Sequence, residues 1–368
     1  MAATTDADFM TMALTLAERG LGQVAPNPAV GCIIVADGIV VGRGHTQAGG
    51  RPHAETVALA HAGDKARGAT AYVTLEPCAH TGKTGPCADA LIAAGIKRVV
   101  AAVSDPDPRV AGRGFAMLEK AGVEVVEGVG MAKAVYLNQG FFLKVTEERP
   151  LVTLKIASSV DGRTASKTGH SRWITGGPAR ERGHLLRATH DAIMIGSATA
   201  IVDDPTLTCR LPGLEDRSPI RIIADGRLRL PLTSKLVREA SKVPVWVLTF
   251  PGGDAGRRKA FTDCGVELID IEASPSGLMD MKAAMRALSA RGITRLLVEG
   301  GARLASSLVR AHLVDRVEWF RSSSIVGGDG YPAIASLGIE RVDEAPKMSL
   351  TRRLDLGGDT LSSYVMRG

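Results

Sequence analysis

The residue types with the most chemistry in them fall in one stretch: His53-Ala54-Glu55, Glu76-Pro77-Cys78 and Gly85-Pro86-Cys87. One imidazole and two thiolates are a sufficient donor set for a catalytic zinc ion, and they leave the fourth position open for water. Glu55 lies two residues from His53, so it reaches the water without being needed as a ligand. That combination is the chemistry of hydrolytic deamination: a metal-activated hydroxide attacks an amino-bearing ring carbon while a non-ligating Glu carries the protons. The competing reading is a structural site closed by four protein ligands, for which His80 is the candidate fourth. The general deaminase signature has its two Cys two residues apart. Here the longer loop 79–86 separates Cys78 from Cys87.

Elements with clear signals place these residues. Phe9, Met12, Ala13 and Leu16 recur at helical spacing, and Gly20 and Gly22 end the pattern. Short apolar runs at 31–36 and 39–41 flank Asp37-Gly38, a strong hairpin pair. Pro26-Asn27-Pro28 before them is a rigid turn; Asn27 either caps that turn or holds its amide out for a ligand. Segment 55–62 reads as a helix with His53 and Glu55 at its start, and a strand at 71–75 delivers Cys78. Cys87 opens the helix 88–94, where a thiol's pKa is lowered toward the thiolate a metal needs. A strand at 98–103, a helix at 115–120 and a strand at 123–126 complete an alternation that means a mostly parallel sheet covered on both faces.

Glu147-Glu148-Arg149-Pro150 is a polar break, so the chain reads as two domains, 1–147 and 150–368. At 368 residues it exceeds one ordinary core. After the break come strands at 151–157, 192–195, 220–224, 243–248, 266–269 and 295–298, with helices from Pro178, at 279–291 and at 302–311. No Gly-x-Gly-x-x-Gly turn follows the first of these strands. Val298-Glu299-Gly300-Gly301 instead joins a strand to a helix, either as a plain tight turn or as a cradle that lets a phosphate reach the helix-start N–H groups.

Composition excludes several classes. There is no apolar run of ~18 residues for a membrane span, and the N-terminus lacks a secretory pattern. Two of the five cysteines are in the metal set; Cys32, Cys209 and Cys264 are scattered, which predicts a reducing cytoplasm rather than a disulfide framework. The net charge of +6 is spread out and aromatic residues are only 4%, so anionic small molecules fit better than nucleic acid.

Taken together, Pro26-Asn27-Pro28-Ala29-Val30-Gly31, His53-Ala54-Glu55, the Cys78 to Cys87 loop and Leu137-Asn138-Gln139-Gly140-Phe141-Phe142 resemble the bifunctional riboflavin-biosynthesis deaminase–reductase family. In the second half so do segment 154–162, Gly196-Ser197-Ala198-Thr199 and segment 203–210. The resemblance implies a cytidine-deaminase-like three-layer α/β domain followed by a dihydrofolate-reductase-like α/β domain. It implies zinc-dependent removal of an amino group from 2,5-diamino-6-ribosylamino-4(3H)-pyrimidinone 5′-phosphate, then NADPH-dependent reduction of the ribosyl group to ribityl. By carry-over His53, Cys78 and Cys87 hold one Zn2+ per chain, Glu55 is the proton shuttle and Asn27 touches the pyrimidine. Ala157, Trp173, Thr199, Asp203 and Gly301 match cofactor positions; Ser171, Arg187, Leu207, Arg210 and Glu299 match substrate positions. The implied partners are this small-molecule ribotide, no nucleic acid, no membrane, and a second copy of the chain through the reductase domain.

Read singly, Trp173 is a core or interface aromatic, Thr199 a helix cap, and Asp203-Asp204-Pro205 a turn. The chain departs from the family at Gly85, at Asp107 and in the polar segment Arg321-Ser322-Ser323-Ser324. The alternative activity is a nucleic-acid or nucleotide deaminase with an unrelated second domain; a zinc-stabilised binding module without catalysis would leave Glu55 idle.

Overall fold

The structure, a computed structural model, describes residues 4–79, 85–108 and 110–367. It divides into two compact units, Met1–Glu148 and Arg149–Gly368. The first holds α1 (Asp6–Ala17), β1 (Gly31–Ala36), β2 (Ile39–His45), α2 (Ala54–Ala62), β3 (Thr70–Val73), α3 (Cys87–Ala93), β4 (Arg98–Ala101), α4 (Arg113–Lys120), β5 (Glu124–Glu127) and α5 (Met131–Glu147). Its sheet runs β2-β1-β3-β4-β5. β1 is antiparallel to both neighbours, and β3, β4 and β5 are parallel. Asp37 and Gly38 both take left-handed φ values, 49° and 77°, as a two-residue hairpin requires.

Alternation along β1 explains the three layers. Cys32 and Ile34 pack with Ala54, Ala58 and Leu91 on one face, while Ile33 and Val35 pack with Phe9, Met10 and Leu14 on the other. Both faces are apolar, so both must be covered. Helix α5 is not announced by the sequence pattern; Ala134 is its contribution to the α1 face.

The approach of α2 to the sheet is unusually close, and small residues make it so. A Cβ on Gly42 would meet the Ala58 carbonyl oxygen at 2.3 Å, and one on Gly44 would meet that of Ala54 at 2.3 Å. The buried face of α2 answers with Ala54, Ala58 and Ala62. This seam sets the height at which His53 and Glu55 leave the helix start.

The second unit comprises β6 (Leu151–Ser158), β7 (Arg163–Ala165), α6 (Gly177–Ala188), β8 (Ala192–Gly196), α7 (Ser197–Asp203), β9 (Ile220–Ala224), α8 (Lys235–Arg238), β10 (Val245–Thr249), α9 (Ala255–Asp263), β11 (Glu267–Asp270), α10 (Met281–Ala290), β12 (Arg295–Val298), α11 (Ala302–Arg310), β13 (Arg316–Arg321), β14 (Tyr331–Pro332), β15 (Met348–Asp355) and β16 (Thr360–Met366). The main sheet runs β11-β10-β9-β8-β12-β6-β13-β16-β15. It is parallel from β11 to β13, and β16 and β15 add an antiparallel edge. Strands β12 and β6 lie side by side in its middle, which brings Glu299 and Gly300 beyond the end of β12 toward the outgoing end of β6.

Gly44→Ala should push α2 off the sheet and destabilise the first unit by about 1–3 kcal/mol, the usual cost of overpacking. Denaturant unfolding of the purified variant, followed with zinc retention against a chelator, checks this. Wild-type stability and retention would show that the seam is not tight.

Candidate functional site

His53 is the residue before α2, in extended backbone with φ −69° and ψ 160°. Cys78 follows β3 and Cys87 is the first residue of α3. The Nδ1 of His53 lies 3.3 Å from Cys87 Sγ and 3.7 Å from Cys78 Sγ. All three donor atoms fall within 4.8 Å of one another. A tetrahedral zinc ion with bonds of ~2.3 Å to sulfur and ~2.05 Å to nitrogen would set N and S about 3.5 Å apart, which the two N–S distances bracket. The Cys87 N–H donates to Cys78 Sγ at 3.3 Å. A hydrogen bond from the Cys87 thiol pulls the Cys78 thiol down to about 4, and the pairing pushes Cys87 up. His80 lies outside the described residues.

Glu55 sits in the first turn of α2 and is 4% exposed. Burial pushes its carboxyl up to about 7, so it is able to give as well as take a proton near neutral pH. Glu55, His53 and Cys78 line a cavity of about 110 Å³, with Asn27, Asp105 and Phe141 among its other walls. Asn27 does not cap its own turn. Its Nδ2 donates to the Gly50 carbonyl at 2.9 Å, which turns its amide oxygen to the other side. Gly50 has φ +81°, and a Cβ there would stand 1.9 Å from Asn27 Nδ2.

Glu76, quoted in the motif but given no role by it, anchors the opposite wall. One carboxylate oxygen accepts the N–H groups of Asp105 at 3.1 Å and Gly112 at 2.9 Å, and the other accepts that of Gly114 at 2.9 Å. A Cβ on Gly114 would lie 2.0 Å from the Pro77 carbonyl oxygen, so glycine is needed there. The Cys78 loop is thereby tied to segment 105–114. Asp107, at the divergent position, donates its N–H to Asp105 Oδ1 at 2.8 Å. A Cβ on Gly85, another divergent position, would meet nothing within 4 Å among the described residues.

In the second unit the centre is a buried ion cluster. Arg187 of α6 grips Glu299 with Nε at 2.7 Å and Nη2 at 2.8 Å, and Lys155 of β6 approaches the same carboxylate at 3.5 Å. Burial opposes ionisation of Glu299, but Arg187 and Lys155 together hold it down at about 2. Lys155 is a residue the sequence motif contains without marking. Arg187 Nη1 also donates to the Thr208 carbonyl at 2.9 Å, joining the 203–210 segment to the cluster. Leu207 there has φ 57°, and Arg210 is exposed with Nη1 on Thr206 Oγ1 at 2.9 Å.

Beyond β12, Gly300 and Gly301 take φ of 148° and 77°. A Cβ on Gly301 would meet Thr199 Oγ1 at 3.3 Å, so the α7 start and the α11 start converge. Thr199 therefore lines this glycine turn, and no side chain caps α7. Asp203 is the last residue of α7; Asp204, with φ 38°, accepts the Lys235 N–H at 2.8 Å and is structural. Trp173 is 71% exposed beneath the Arg180 guanidinium at 4.7 Å, so it is no core aromatic. Ala157 shares the Lys155 face of β6. Ser171 is exposed two residues before Trp173 and joins none of these hydrogen bonds. The serines at 322–324 are satisfied locally, Ser322 with Ser324 at 2.6 Å and Ser323 with the Gly358 carbonyl at 2.6 Å.

If the donor triangle holds zinc, Cys87→Ser should lose the metal and destabilise the first unit, because metal binding contributes to folding. Metal analysis of purified protein checks this; one zinc per chain in both proteins would remove Cys87 from the donor set.

Comparison with known proteins identifies the family of each unit. Residues 3–103 match the cytidine and deoxycytidylate deaminase zinc-binding region, and residues 150–362 match the RibD C-terminal domain. The chain is 40% identical to the riboflavin biosynthesis protein RibD of Aquifex aeolicus, over 96% of each chain. It is 40% identical to that of Escherichia coli, over 98% of this chain and 99% of the other. Among solved structures, Acinetobacter baumannii RibD superimposes with a TM-score of 0.89 at 38% identity, covering 99% of each chain. The Thermotoga maritima protein described as a diaminohydroxyphosphoribosylaminopyrimidine deaminase/5-amino-6-(5-phosphoribosylamino)uracil reductase gives 0.85 at 35%, over 98% of this chain and 99% of that one. A cytidine-deaminase-like unit carrying a His/Cys/Cys zinc set, followed by a reductase unit of the dihydrofolate-reductase-like α/β class, makes this chain a member of the RibD family of bifunctional deaminase–reductases of riboflavin biosynthesis.

Proposed function

We propose that the chain deaminates 2,5-diamino-6-ribosylamino-4(3H)-pyrimidinone 5′-phosphate in unit 1 and reduces the ribosyl group of the product in unit 2. The observation that carries the first half is the buried Glu55 carboxyl facing the same cavity as a zinc-sized donor triangle. His53, Cys78 and Cys87 would hold the zinc. Zinc there supplies the Lewis acidity that makes water a nucleophile at neutral pH. Glu55 then takes the proton of that water, delivers it to the ring, and passes a second to the departing amino group, which leaves as ammonia. Asn27 presents its amide oxygen as acceptor to an N–H of the pyrimidine, since its nitrogen is engaged by Gly50.

In unit 2, NADPH supplies the hydride. Gly301 and Thr199 would form the turn for its phosphates, and Ala157, Trp173 and Asp203 would complete the cofactor contacts. Arg187 is chiefly committed to Glu299 and Thr208, so the exposed Arg210 is the phosphate-binding arginine of the substrate. Glu299, kept anionic by Arg187 and Lys155, faces the ribose hydroxyls; Ser171 and Leu207 complete the substrate contacts. The domain limits 1–147 and 150–368 belong to this reading, which coincides to within a residue or two with the compact units.

The reading includes a reducing cytoplasm, in which the five cysteines would stay reduced. No helix among the described residues is long and apolar enough to cross a membrane. It also includes self-association through the reductase unit, where Val202, Ile325 and Val342 stand exposed.

Full-length Glu55→Gln tests the assignment. An amide cannot accept the water's proton, so ammonia release should fall by at least ~10²-fold. Zinc content and reduction of the already deaminated compound should persist. Near wild-type deamination would dismiss Glu55 as the shuttle, and loss of reduction in the folded variant would contradict the division of labour.

A further inference from the structure

The segment that carries Asn27 into β1 is held in an unusual way. Three successive backbone N–H groups, of Ala29, Val30 and Gly31, are each taken by a side chain from a different part of unit 1. Gly31 donates to Thr74 Oγ1 at 3.0 Å, Val30 to Thr46 Oγ1 at 3.0 Å, and Ala29 to Asn138 Oδ1 at 2.9 Å. The three side chains are 0%, 3% and 3% exposed. Asn138 closes a two-way pair with both legs at 3.0 Å or less, because its Nδ2 also donates to the Ala29 carbonyl at 3.0 Å, whereas the return bond from Thr46 Oγ1 to the Val30 carbonyl is longer, at 3.5 Å. An amide side chain thus takes the place of a neighbouring strand, two residues from Asn27.

We propose that Asn138 is a positioning residue for deamination: through Ala29 it fixes the Pro26–Ala29 turn so that Asn27 meets the substrate in the cavity. The inference rests on the substrate contact assigned to Asn27 above. The same helix supports it from one turn further on, where Phe141 lines the cavity, and from one residue before, where Leu137 packs on Ala29 and Val24. Helix α5 is 17 residues long, and its buried set at this end includes Leu137, Asn138 and Gly140. With the Asn27 amide nitrogen tied to Gly50 on one side and the Ala29 backbone tied to Asn138 on the other, the turn is clamped at both ends. Neither clamp touches the zinc donors, so loosening one should displace Asn27 and leave the metal in place.

Asn138→Asp keeps the shape and the bond to the Ala29 N–H, but turns an acceptor oxygen toward the Ala29 carbonyl where a donor stood. Asn138→Ala removes both bonds and leaves two buried backbone groups without partners. The test is steady-state deamination of the diaminopyrimidine ribotide by full-length protein, with zinc content and melting temperature measured on the same samples. The Asp variant should keep one zinc per chain and raise KM about tenfold, with kcat within about twofold of wild type, the pattern of lost substrate binding rather than lost chemistry. Combined with Asn27→Ala, it should add nothing to the KM of Asn27→Ala alone, because both act through one contact. Reduction of the deaminated compound should be unaffected. If Asn27→Ala raises KM while the folded, zinc-loaded Asp variant does not, the positioning role is wrong and the Asn27 reading stands. An unchanged KM in Asn27→Ala removes both. Independent, additive effects in the double variant also overturn the proposal.

Discussion

Three donor atoms from three separate segments converge within 4.8 Å, and much of unit 1 serves that convergence. Thiols and an imidazole crowded this closely into a largely buried pocket are costly without a cation, so the surrounding structure has to hold them together. It does so with backbone proximity rather than with large side chains. Gly42 and Gly44 let α2 settle onto β2, which sets His53. Gly114 lets segment 105–114 reach the Pro77 carbonyl while Glu76 gathers three of its N–H groups, which sets Cys78. Cys87 is placed by its own helix start and by its N–H on Cys78. Glycine and alanine at the seams therefore help to set the positions of the three donors.

Unit 2 solves a different problem with charge. It keeps a carboxylate ionised in a buried place, where burial alone pushes Glu299 toward the protonated form. A bidentate arginine and a lysine reverse that tendency. Because Arg187 also holds the Thr208 carbonyl, the same side chain that keeps Glu299 anionic sets the loop that carries Leu207 and Arg210. The glycine turn at 300–301, by contrast, works through the absence of side chains beside Thr199.

What can be read from the sequence follows from what local pattern encodes. The metal set is legible because His, Glu and Cys at fixed offsets have few other reasons to occur together, and the Asp37-Gly38 hairpin because its backbone angles admit few residues. The strands of the parallel sheets are legible as apolar runs, with ends misplaced by a few residues; β2 runs on to His45 because the glycines that suit α2 interrupt the apolar pattern. Helix α5 is hidden because its exposed face carries Met131, Val135 and Tyr136, which blurs the period. Strands β13 and β16 are unreadable because Arg316, Glu318, Ser362 and Ser363 put polar groups on buried positions, and β15 because it is a largely exposed edge without an apolar run. The roles of Glu76, Asn138 and Lys155 depend on partners 29 to 144 residues away, Asp105 and Gly114, Ala29, and Glu299, and no local pattern reports such pairs.

On the proposed reading, one chain removes an amino group and then reduces the sugar of the same molecule, in that order. Pure protein given the diaminopyrimidine ribotide and NADPH, with ammonia and NADPH absorbance followed in one vessel, measures it most directly. Ammonia and oxidised cofactor should reach equal amounts, with the ammonia curve leading throughout. NADPH oxidation that runs ahead of ammonia, or proceeds without it, would contradict the account.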